Sequence, residues 1–182
     1  TCALPIWTGS WWRQATGDAV AGPRMGVRLT ELPSRQVTLA QWLALYPQTR
    51  IMQADPAFLD EYAKDFAYER GTSRKRLTGT DTASWHEKSW VIGITVGSAS
   101  MAFDWNRMER ERVVNTDVGG VPIVLALGAD SLSFFAFARP DRGTVFTLRG
   151  DSLVSDRMAY SLSGAGVTDT LRAVNASQEF WH

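Results

Sequence analysis

The sequence lacks most of the features that would assign a function directly. It has one cysteine, Cys2, so an internal disulfide and a cysteine-rich zinc site are both excluded. No apolar run approaches the roughly 18 residues that a membrane helix requires, so no transmembrane segment is predicted. The 19 basic side chains balance 19 acidic ones, which excludes a broadly basic nucleic-acid binder. We therefore expect no nucleic-acid partner, and nothing in the sequence predicts a cofactor.

What the sequence contains in quantity is apolar surface: 45% of the residues are hydrophobic, and 8 are tryptophan. A chain of 182 residues with this composition can bury the core of one large domain or two small ones. Short apolar runs between glycine-containing and polar turns predict strands. The predicted strands cover residues 27–32, 90–96, 99–103, 113–114, 121–127, 132–138, 144–148 and 158–162.

This spacing is typical of an antiparallel assembly, and the alternation of strands and helices that a doubly wound parallel sheet needs is missing. Capping patterns predict short helices after Thr38 and after Asp104. A further helix is predicted over 55–71, because proline is tolerated at the first helical position. The predicted fold is therefore mainly β and antiparallel, with a few short helices; an α+β fold is the alternative.

Two passages of the chain share an outline of aromatic, glycine and small apolar positions, which predicts an incomplete internal duplication. Residues 7–53 are assigned to the C-terminal part of a first repeat, and residues 54–89 to a helix and a polar connecting segment. Residues 90–182 are assigned to a second repeat that is cut at its C-terminal helix. The matched positions are Trp12 with Tyr160, Gly17 with Gly164, Leu29 with Leu171, Leu32 with Val174, Gln36 with Gln178, and Trp42 with Trp181.

The two ends of the chain predict that the sequence is truncated at both. Residues 1–6 correspond to one reading frame of a sequencing-adaptor tail, so we interpret them as an artefact. The alternative is a genuine strand before the turn at residues 8–10. The second repeat stops one residue after Trp181, whereas the first continues as a helix after Trp42. A chain cut inside a repeat is expected to expose strand edges and apolar faces.

Several motifs occur together in a fixed order. Residues 112–124 read RVVNTDVGGVPIV and residues 133–139 read SFFAFAR, while near the start residues 8–12 read TGSWW and residues 16–20 read TGDAV. In order and spacing, from residue 8 onward, the chain resembles the bacterial and archaeal domain-of-unknown-function family 3179.

The resemblance implies tandem copies of a β-rich unit, usually behind a signal peptide or a lipoprotein anchor, with no established activity. An extracytoplasmic location is therefore expected by resemblance. Many such proteins carry a Cys-Pro-Leu-Cys-like segment in the first copy, which here would lie upstream of Thr8. The matching place in the second copy, residues 124–129, has no cysteine. No redox or metal role is therefore transferred to a residue of this chain.

A polar segment around His86 raises a hydrolase hypothesis. His86 would act as general base, Asp81 would orient it, and Ser84 and Glu87 lie close by in sequence. Residues this close along the chain rarely converge on one reacting atom, and no Gly-x-Ser-x-Gly nucleophile elbow is present. A polar loop with local hydrogen bonds is the favoured interpretation. Asp81, His86 and Glu87 remain as the candidate catalytic residues.

No metal site is predicted, because the two histidines and the scattered carboxylates give no recognisable ligand spacing. An oxygen-ligand site around Asp104, Asn106, Asn115 and Asp117 is the alternative. A helix cap at Asp104 and turn hydrogen bonds over residues 115–117 are favoured over that site.

The chain offers two candidate ligand surfaces. A basic patch could bind a phosphate or an anionic surface, with Arg74 and Arg76 as the named candidates, although charge runs in loops are usually solvated. The patch comprises Arg70, Arg74, Lys75 and Arg76. The second candidate surface is a stacking platform for a sugar or a peptide, made by tryptophans beside turns. Those residues are Trp11, Trp12 and Trp85, whereas Trp42, Trp90, Trp105 and Trp181 lie in periodic elements and are assigned to the core.

These observations favour a non-catalytic, extracytoplasmic, β-rich binding or structural module, with a glycan or a peptide as the expected ligand class. The motivation is the absence of a coherent set of acid, base, nucleophile or metal ligands. The alternative is an enzyme or a metal or redox protein whose chemistry lies in an upstream repeat.

Overall fold

The computed structural model describes residues 2–3, 8–14, 16–30, 32, 34–58, 83–87 and 89–181. The chain divides into two compact units, Thr1–Pro33 and Ser34–His182. Of the helix predicted over 55–71, the described residues contain a single 3-10 turn, Pro56–Phe58. The basic patch at residues 70–76 and Asp81 lie outside the described residues.

The first unit contains one small antiparallel sheet in the order β1-β2-β3, formed by Cys2–Ala3, Trp11–Arg13 and Ala19–Ala21. Ala3 pairs with Trp12, and Trp12 pairs with Ala19. The strand predicted over 27–32 is not formed in the described residues: only Arg28 makes a bridge, to Asp18. The apolar and polar residues alternate as predicted, but the apolar Val27, Leu29 and Leu32 are exposed.

The second unit is mainly antiparallel β, as predicted. Its described elements are α1 (Leu39–Leu45), β4 (Trp90–Val96), β5 (Ala99–Asp104), α2 (Trp105–Glu111), β6 (Val113–Val118), β7 (Val121–Leu127), β8 (Phe134–Ala138), β9 (Thr147–Arg149), β10 (Ser152–Val154), β11 (Ala159–Ser161) and β12 (Ala176–Phe180). They form the sheets β12-β4-β5, β6-β7-β8 and β11-β10-β9, and every pairing is antiparallel.

Strand β7 lies inside the unit with both faces covered. Ile123, Leu125 and Leu127 belong to one buried cluster, and Val124 and Ala126 belong to a second. Successive side chains of a strand point to opposite faces of the sheet, so the continuous apolar run of β7 supplies two cores at once. The sheet β6-β7-β8 is therefore the central layer of this unit.

The two cores have different partners. Strands β4 and β5 and helix α2 fill the first, through residues such as Ile92, Phe103 and Met108. The second core is filled from β10 and β11 and the segments that follow them, by the fully or almost fully buried Leu153, Tyr160, Leu162 and Leu171. Val37 and Leu45, on either end of α1, also pack against the second core.

Both predicted helix caps are present. The Thr38 side chain accepts a hydrogen bond from the Gln41 backbone N–H, and Asp104 accepts one from Arg107. Each cap satisfies a backbone donor that the first helical turn leaves unpaired. Arg112 closes α2 in the left-handed region, with φ 63°. The prediction that Asp104 caps a helix is therefore confirmed.

The cap of α1 is also a tertiary contact. Thr38 Oγ1 donates to Asp130 Oδ2 at 2.7 Å, and Ser133 Oγ donates to the same oxygen at 2.6 Å. Asp130 Oδ1 accepts the backbone N–H groups of Leu132 and Ser133. Burial alone would raise the pKa of Asp130, but the hydrogen bonds from Ser133, Thr38 and Leu132 outweigh it and lower that pKa. Asp130 thus holds the start of α1 against the β7–β8 connection as a carboxylate.

One backbone arrangement occurs in each unit. In the first, Arg13 N–H donates to Asp18 C=O, Ala19 N–H to Val27 C=O, and Leu29 N–H to Gly17 C=O, at 2.8 to 2.9 Å. In the second, the corresponding bonds run from Ser161 to Ala165, from Gly166 to Asp169, and from Leu171 to Gly164, also at 2.8 to 2.9 Å.

Further backbone features of this arrangement match. Gly17 N–H donates to Arg13 C=O as Gly164 N–H donates to Ser161 C=O. The isolated bridge Asp18–Arg28 corresponds to the bridge Ala165–Thr170. Gly17 and Gly164 both have positive φ, +70° and +91°, a conformation that costs glycine little and other residues more. The two stretches, one in each unit, therefore have similar backbone hydrogen bonds, bridges and glycine conformations.

Within the described residues, no helix combines the length and the apolar character needed to cross a membrane.

Candidate functional site

The loop of residues 83–87 is fixed from beneath by a buried serine. Ser89 is fully buried, and its hydroxyl donates to the Ala83 carbonyl and accepts the His86 backbone N–H at 2.9 Å. The Ser89 carbonyl accepts the Trp181 N–H at 2.9 Å, next to the end of β12. One small polar residue therefore connects the loop to the residue that follows the last strand.

Trp85, at the centre of this loop, has an unusual backbone. Its φ is 62°, in the left-handed region, which is rare for a bulky side chain and costs of order 1–3 kcal/mol. Its side chain is nevertheless 47% exposed. The ring meets Trp181 edge-to-face, with centroids 5.1 Å apart and an interplanar angle of 84°. Trp181 is itself 39% exposed, so the two indoles form an aromatic surface open to solvent.

This pair revises the tryptophan assignments made from the sequence. Trp181 was assigned to the core, but it is the exposed partner of Trp85. Trp12 was placed in the platform, but it is only 5% exposed and its indole N–H donates to Thr8 Oγ1 at 3.0 Å. Trp11 is 47% exposed and lies in the first unit. Of the three predicted platform residues, Trp11 and Trp85 present a ring to solvent.

The aromatic surface is backed by further rings. Phe180 and Trp90, at paired positions of β12 and β4, have centroids 5.2 Å apart, and Trp105 lies 6.2 Å from Trp90. Trp105 in turn meets the buried Phe134 edge-to-face. Trp90 and Trp105 are half-buried, and Trp105 packs against the first core as predicted. This end of the β12-β4-β5 sheet is therefore aromatic from the core outward.

A polar group lies beneath the loop on the other side. Ser84 Oγ donates to Asp104 Oδ2 at 2.9 Å and accepts Asn106 Nδ2 at 3.1 Å. Asp104 is buried, and its second oxygen has no hydrogen-bond partner in the described part of the chain. The carboxylate also caps α2, so the same residue fixes the loop and starts the helix. These bonds hold residue 84 and thereby the position of Trp85.

The residues of the hydrolase hypothesis are placed as follows. His86 and Glu87 are exposed, and Asp81 lies outside the described residues. Among the residues that the structure describes, the His86 imidazole makes no hydrogen bond to a serine hydroxyl or to a carboxylate. Ser84 is bonded to Asp104 instead. Within the described residues, this loop makes local hydrogen bonds through Ser84 and through the His86 backbone.

The four residues of the oxygen-ligand hypothesis have different partners. Asp104 and Asn106 meet at Ser84. Asn115 instead exchanges two hydrogen bonds with the Phe146 backbone, at 2.8 and 2.9 Å. Asp117 accepts Arg142 Nε at 3.2 Å.

Residues 115–117 lie within strand β6, so the turn predicted there is wrong. The sequence predicts a strand only over residues 113–114, because polar residues follow them. Those polar side chains bind neighbouring segments and leave the backbone free to pair with β7. In the part of the chain that is described, no three His, Cys, Asp or Glu residues group as metal ligands.

A cavity of about 580 Å³ lies elsewhere in the second unit. Its lining mixes polar residues, among them Asp141, Thr144, Asp156 and Arg157, with the apolar Val145 and Met158. The Asp141 carboxylate accepts both the N–H and the hydroxyl of Thr144, and these bonds lower its pKa. Asp141 is therefore held within its own loop.

Comparison with known proteins gives one result. The model of a family described as "Protein of unknown function (DUF3179)" matches residues 6–182. No curated protein and no solved structure matches the chain.

Proposed function

Because the chain belongs to the DUF3179 family, whose description assigns no activity, we propose a function from the site itself. The chain is a non-catalytic binding module, and its ligand stacks on the surface formed by Trp85 and Trp181. The observation that carries this proposal is an exposed indole pair, one member of which has a left-handed backbone held by buried hydrogen bonds.

Rigidity is the first argument for binding. Ser89 and Asp104 fix the loop on both sides of Trp85, so the backbone that carries the ring is already ordered when a ligand arrives. Large aromatic side chains with few rotatable bonds supply contact area at a low entropic cost. Backbone strain maintained by surrounding contacts is found preferentially at functional sites.

The chemistry of the surface defines the ligand class. An indole face stacks on flat apolar surface, and its N–H can donate one hydrogen bond. The C–H face of a sugar ring and the side chain of a proline or aromatic residue both meet this requirement. A glycan or a peptide is therefore the proposed ligand, and His86 and Glu87, which follow Trp85 in sequence, are exposed polar residues.

The test is a titration with glycan and peptide panels, followed by tryptophan fluorescence and by calorimetry. We expect Trp85→Ala and Trp181→Ala each to weaken binding at least about tenfold, which corresponds to about 1.4 kcal/mol. Trp11→Ala is the matched control, since Trp11 is as exposed as Trp85 but lies in the first unit. Equal binding by the Trp85→Ala and wild-type chains would refute the platform. Turnover of any substrate that a single His86→Ala change abolishes, with folding intact, would refute the non-catalytic role.

We also infer that the two matched backbone arrangements are copies of one unit, as expected from the sequence. Their four corresponding backbone hydrogen bonds, the corresponding bridge and the left-handed glycine support this inference. An extracytoplasmic location is proposed with it. Expression of the natural protein and separation of the periplasmic or secreted fraction from the cytosol tests that location.

A further inference from the structure

We propose that the apolar segment of the first unit that carries Gly17, Leu29 and Leu32 is a docking surface. Its occupant is an antiparallel sheet of the β6-β7-β8 type, contributed by another segment of the same natural polypeptide. The proposal rests on the duplication inferred above, and it is independent of the Trp85–Trp181 platform.

The matched leucines have opposite environments. Leu29 and Leu171 occupy the same position in the shared hydrogen-bond frame, since their N–H groups donate to Gly17 and Gly164. Leu171 is 6% exposed and belongs to the second core. Leu29 is 57% exposed. The backbone is therefore repeated, but the cover over the side chain is not.

The matched glycines show what is missing. A Cβ added to Gly164 would lie 2.7 Å from Cε1 of Phe137, so the backbone of this glycine sits against a ring of strand β8. The three heavy atoms nearest to a Cβ added at Gly17 would all belong to Leu29, at 3.3 to 3.8 Å. No aromatic ring is among these neighbours of Gly17, and the proposed sheet would bring one to the place that Phe137 has at Gly164.

The backbone next to these leucines indicates how the strand would pair. In the second unit, Arg172 C=O accepts the Ala138 N–H, and Val174 N–H donates to Ala136 C=O, both at 2.9 Å. The corresponding residues of the first unit are Thr30 and Leu32, with no gap in the matching from Leu29. Val174 packs against the first core, whereas Leu32 is 77% exposed. Thr30 C=O and Leu32 N–H are therefore the groups that the docked strand would bind.

A second copy of this chain does not supply that sheet. The face of β6-β7-β8 that receives Leu171 is already filled within each copy, by Leu162, Leu171, Val37 and the α1 residue Leu45. A free sheet of the same kind must come from another segment of the natural polypeptide, and apolar surfaces that lack cover mark such contacts.

The experiment compares the chain of residues 1–182 with the natural protein expressed from its own start codon. Amide hydrogen exchange of Leu32 is followed by NMR, with Val174 as the internal control. In the natural protein the Leu32 N–H is expected to exchange at least about tenfold more slowly than in the shorter chain, while Val174 is protected in both. Equal exchange of Leu32 in the two proteins would overturn the proposal.

A variant pair provides a second measurement. Leu29→Asp is expected to lower the Tm of the natural protein by about 5 °C or more and to leave that of residues 1–182 nearly unchanged, whereas Leu171→Asp lowers both. If Leu29→Asp already destabilises residues 1–182, the face is covered within that chain or by a second copy, and the proposal fails. A natural gene without a further sheet-forming segment also overturns it. If Trp85→Ala binds ligand normally, only the platform is refuted, and these readouts are unaffected.

Discussion

The two similar backbone arrangements, one around Gly17 and one around Gly164, differ in what surrounds them. Around Gly164 the hydrogen-bonded turns lie on a sheet that carries Phe137, and the leucine that follows is buried. Around Gly17 the same turns form, yet the equivalent leucine is exposed. Local backbone hydrogen bonds and a left-handed glycine are thus enough to define this turn geometry. Its contribution to a core depends on the sheet beside it, because burial of apolar surface and not the turn provides most of the stabilisation.

The leucines give the largest expected contrast. Leu171→Ala removes a buried side chain from a packed core and is expected to cost about 2–5 kcal/mol of the free energy of unfolding. Leu29→Ala in the chain of residues 1–182 is expected to stay within about 0.5 kcal/mol of wild type, because the side chain is mostly exposed. Urea unfolding with equal m-values measures both, and a comparable loss for the two variants would contradict the comparison.

Alanine substitutions of the two glycines are expected to differ less in their destabilisation, and two effects contribute to that difference. Alanine at either position is strained by the positive φ, at about 1–2 kcal/mol. At Gly164 the new Cβ would also overlap the Phe137 ring, which adds about 1–3 kcal/mol for overpacking. Gly164→Ala is therefore expected to destabilise more than Gly17→Ala in thermal unfolding. If the combination of Phe137→Leu with Gly164→Ala does not recover part of the loss, the overlap is not its cause.

The pH dependence of stability tests how α1 is held against the second core. The pKa of Asp130 is lowered below its ordinary value of 3.8, so its carboxylate favours the folded state. This contribution is complete above the unfolded pKa and is lost as pH falls through the lower, folded pKa. Wild type should therefore lose stability at the acid end of a urea series between about pH 6 and pH 2.5.

Two variants test whether Asp130 causes this loss of stability in acid. Asp130→Asn should be less stable than wild type near neutrality and should show a flatter pH profile, since it has no carboxylate to protonate. Asp156→Asn is the matched control, because Asp156 is an exposed aspartate of the same unit. Parallel profiles for Asp130→Asn and wild type would contradict the role of this carboxylate.

The smallest expected effect concerns an ion pair that only one arrangement has. Arg28 Nε lies 3.9 Å from Asp18 Oδ1, and both side chains are substantially exposed, whereas the corresponding bridge in the second unit joins Ala165 and Thr170. Exposed pairs contribute roughly 0–1 kcal/mol. Arg28→Ala is expected to lower the free energy of unfolding by less than about 0.5 kcal/mol, and less still in 0.5 M salt.

Local signals in the sequence were sufficient for much of the fold. The apolar run of β4, the glycine turn and the returning β5 were predicted nearly to the residue, and β7 was predicted with its observed bounds. The caps at Thr38 and Asp104 were also predicted, because a side chain and a backbone donor three residues apart are a local arrangement.

Strands that depend on distant partners were missed. β10 has three residues, and β12 has the polar stretch Ser177, Gln178 and Glu179. Neither shows a period that would indicate a strand. β12 exists because the backbone of β4 is available to pair with it, and such context routinely overrides intrinsic strand preference. The predicted helix at this end is therefore replaced by a strand up to Phe180.

The candidate site was found only in part. Trp85 was selected because it lies beside a turn, but Trp181 was assigned to the core because its neighbours are periodic. The edge-to-face contact joins two residues that are far apart in the chain. The pairing of β12 with β4 and the hydrogen bond from Trp181 N–H to Ser89 C=O help to bring them together.

Because both faces of β7 are buried, this strand limits the amino-acid substitutions that the second unit tolerates. A mutation on an ordinary half-exposed strand has a permissive face, so every second position can drift in sequence. From Ile123 to Leu127 each side chain is fully buried. Neither the odd-numbered nor the even-numbered positions of β7 are therefore free to vary. A deep mutational scan should show five consecutive intolerant positions here, in contrast to β12, where exposed and half-buried residues are mixed. The same strand should hold the last amides to exchange before the unit unfolds globally.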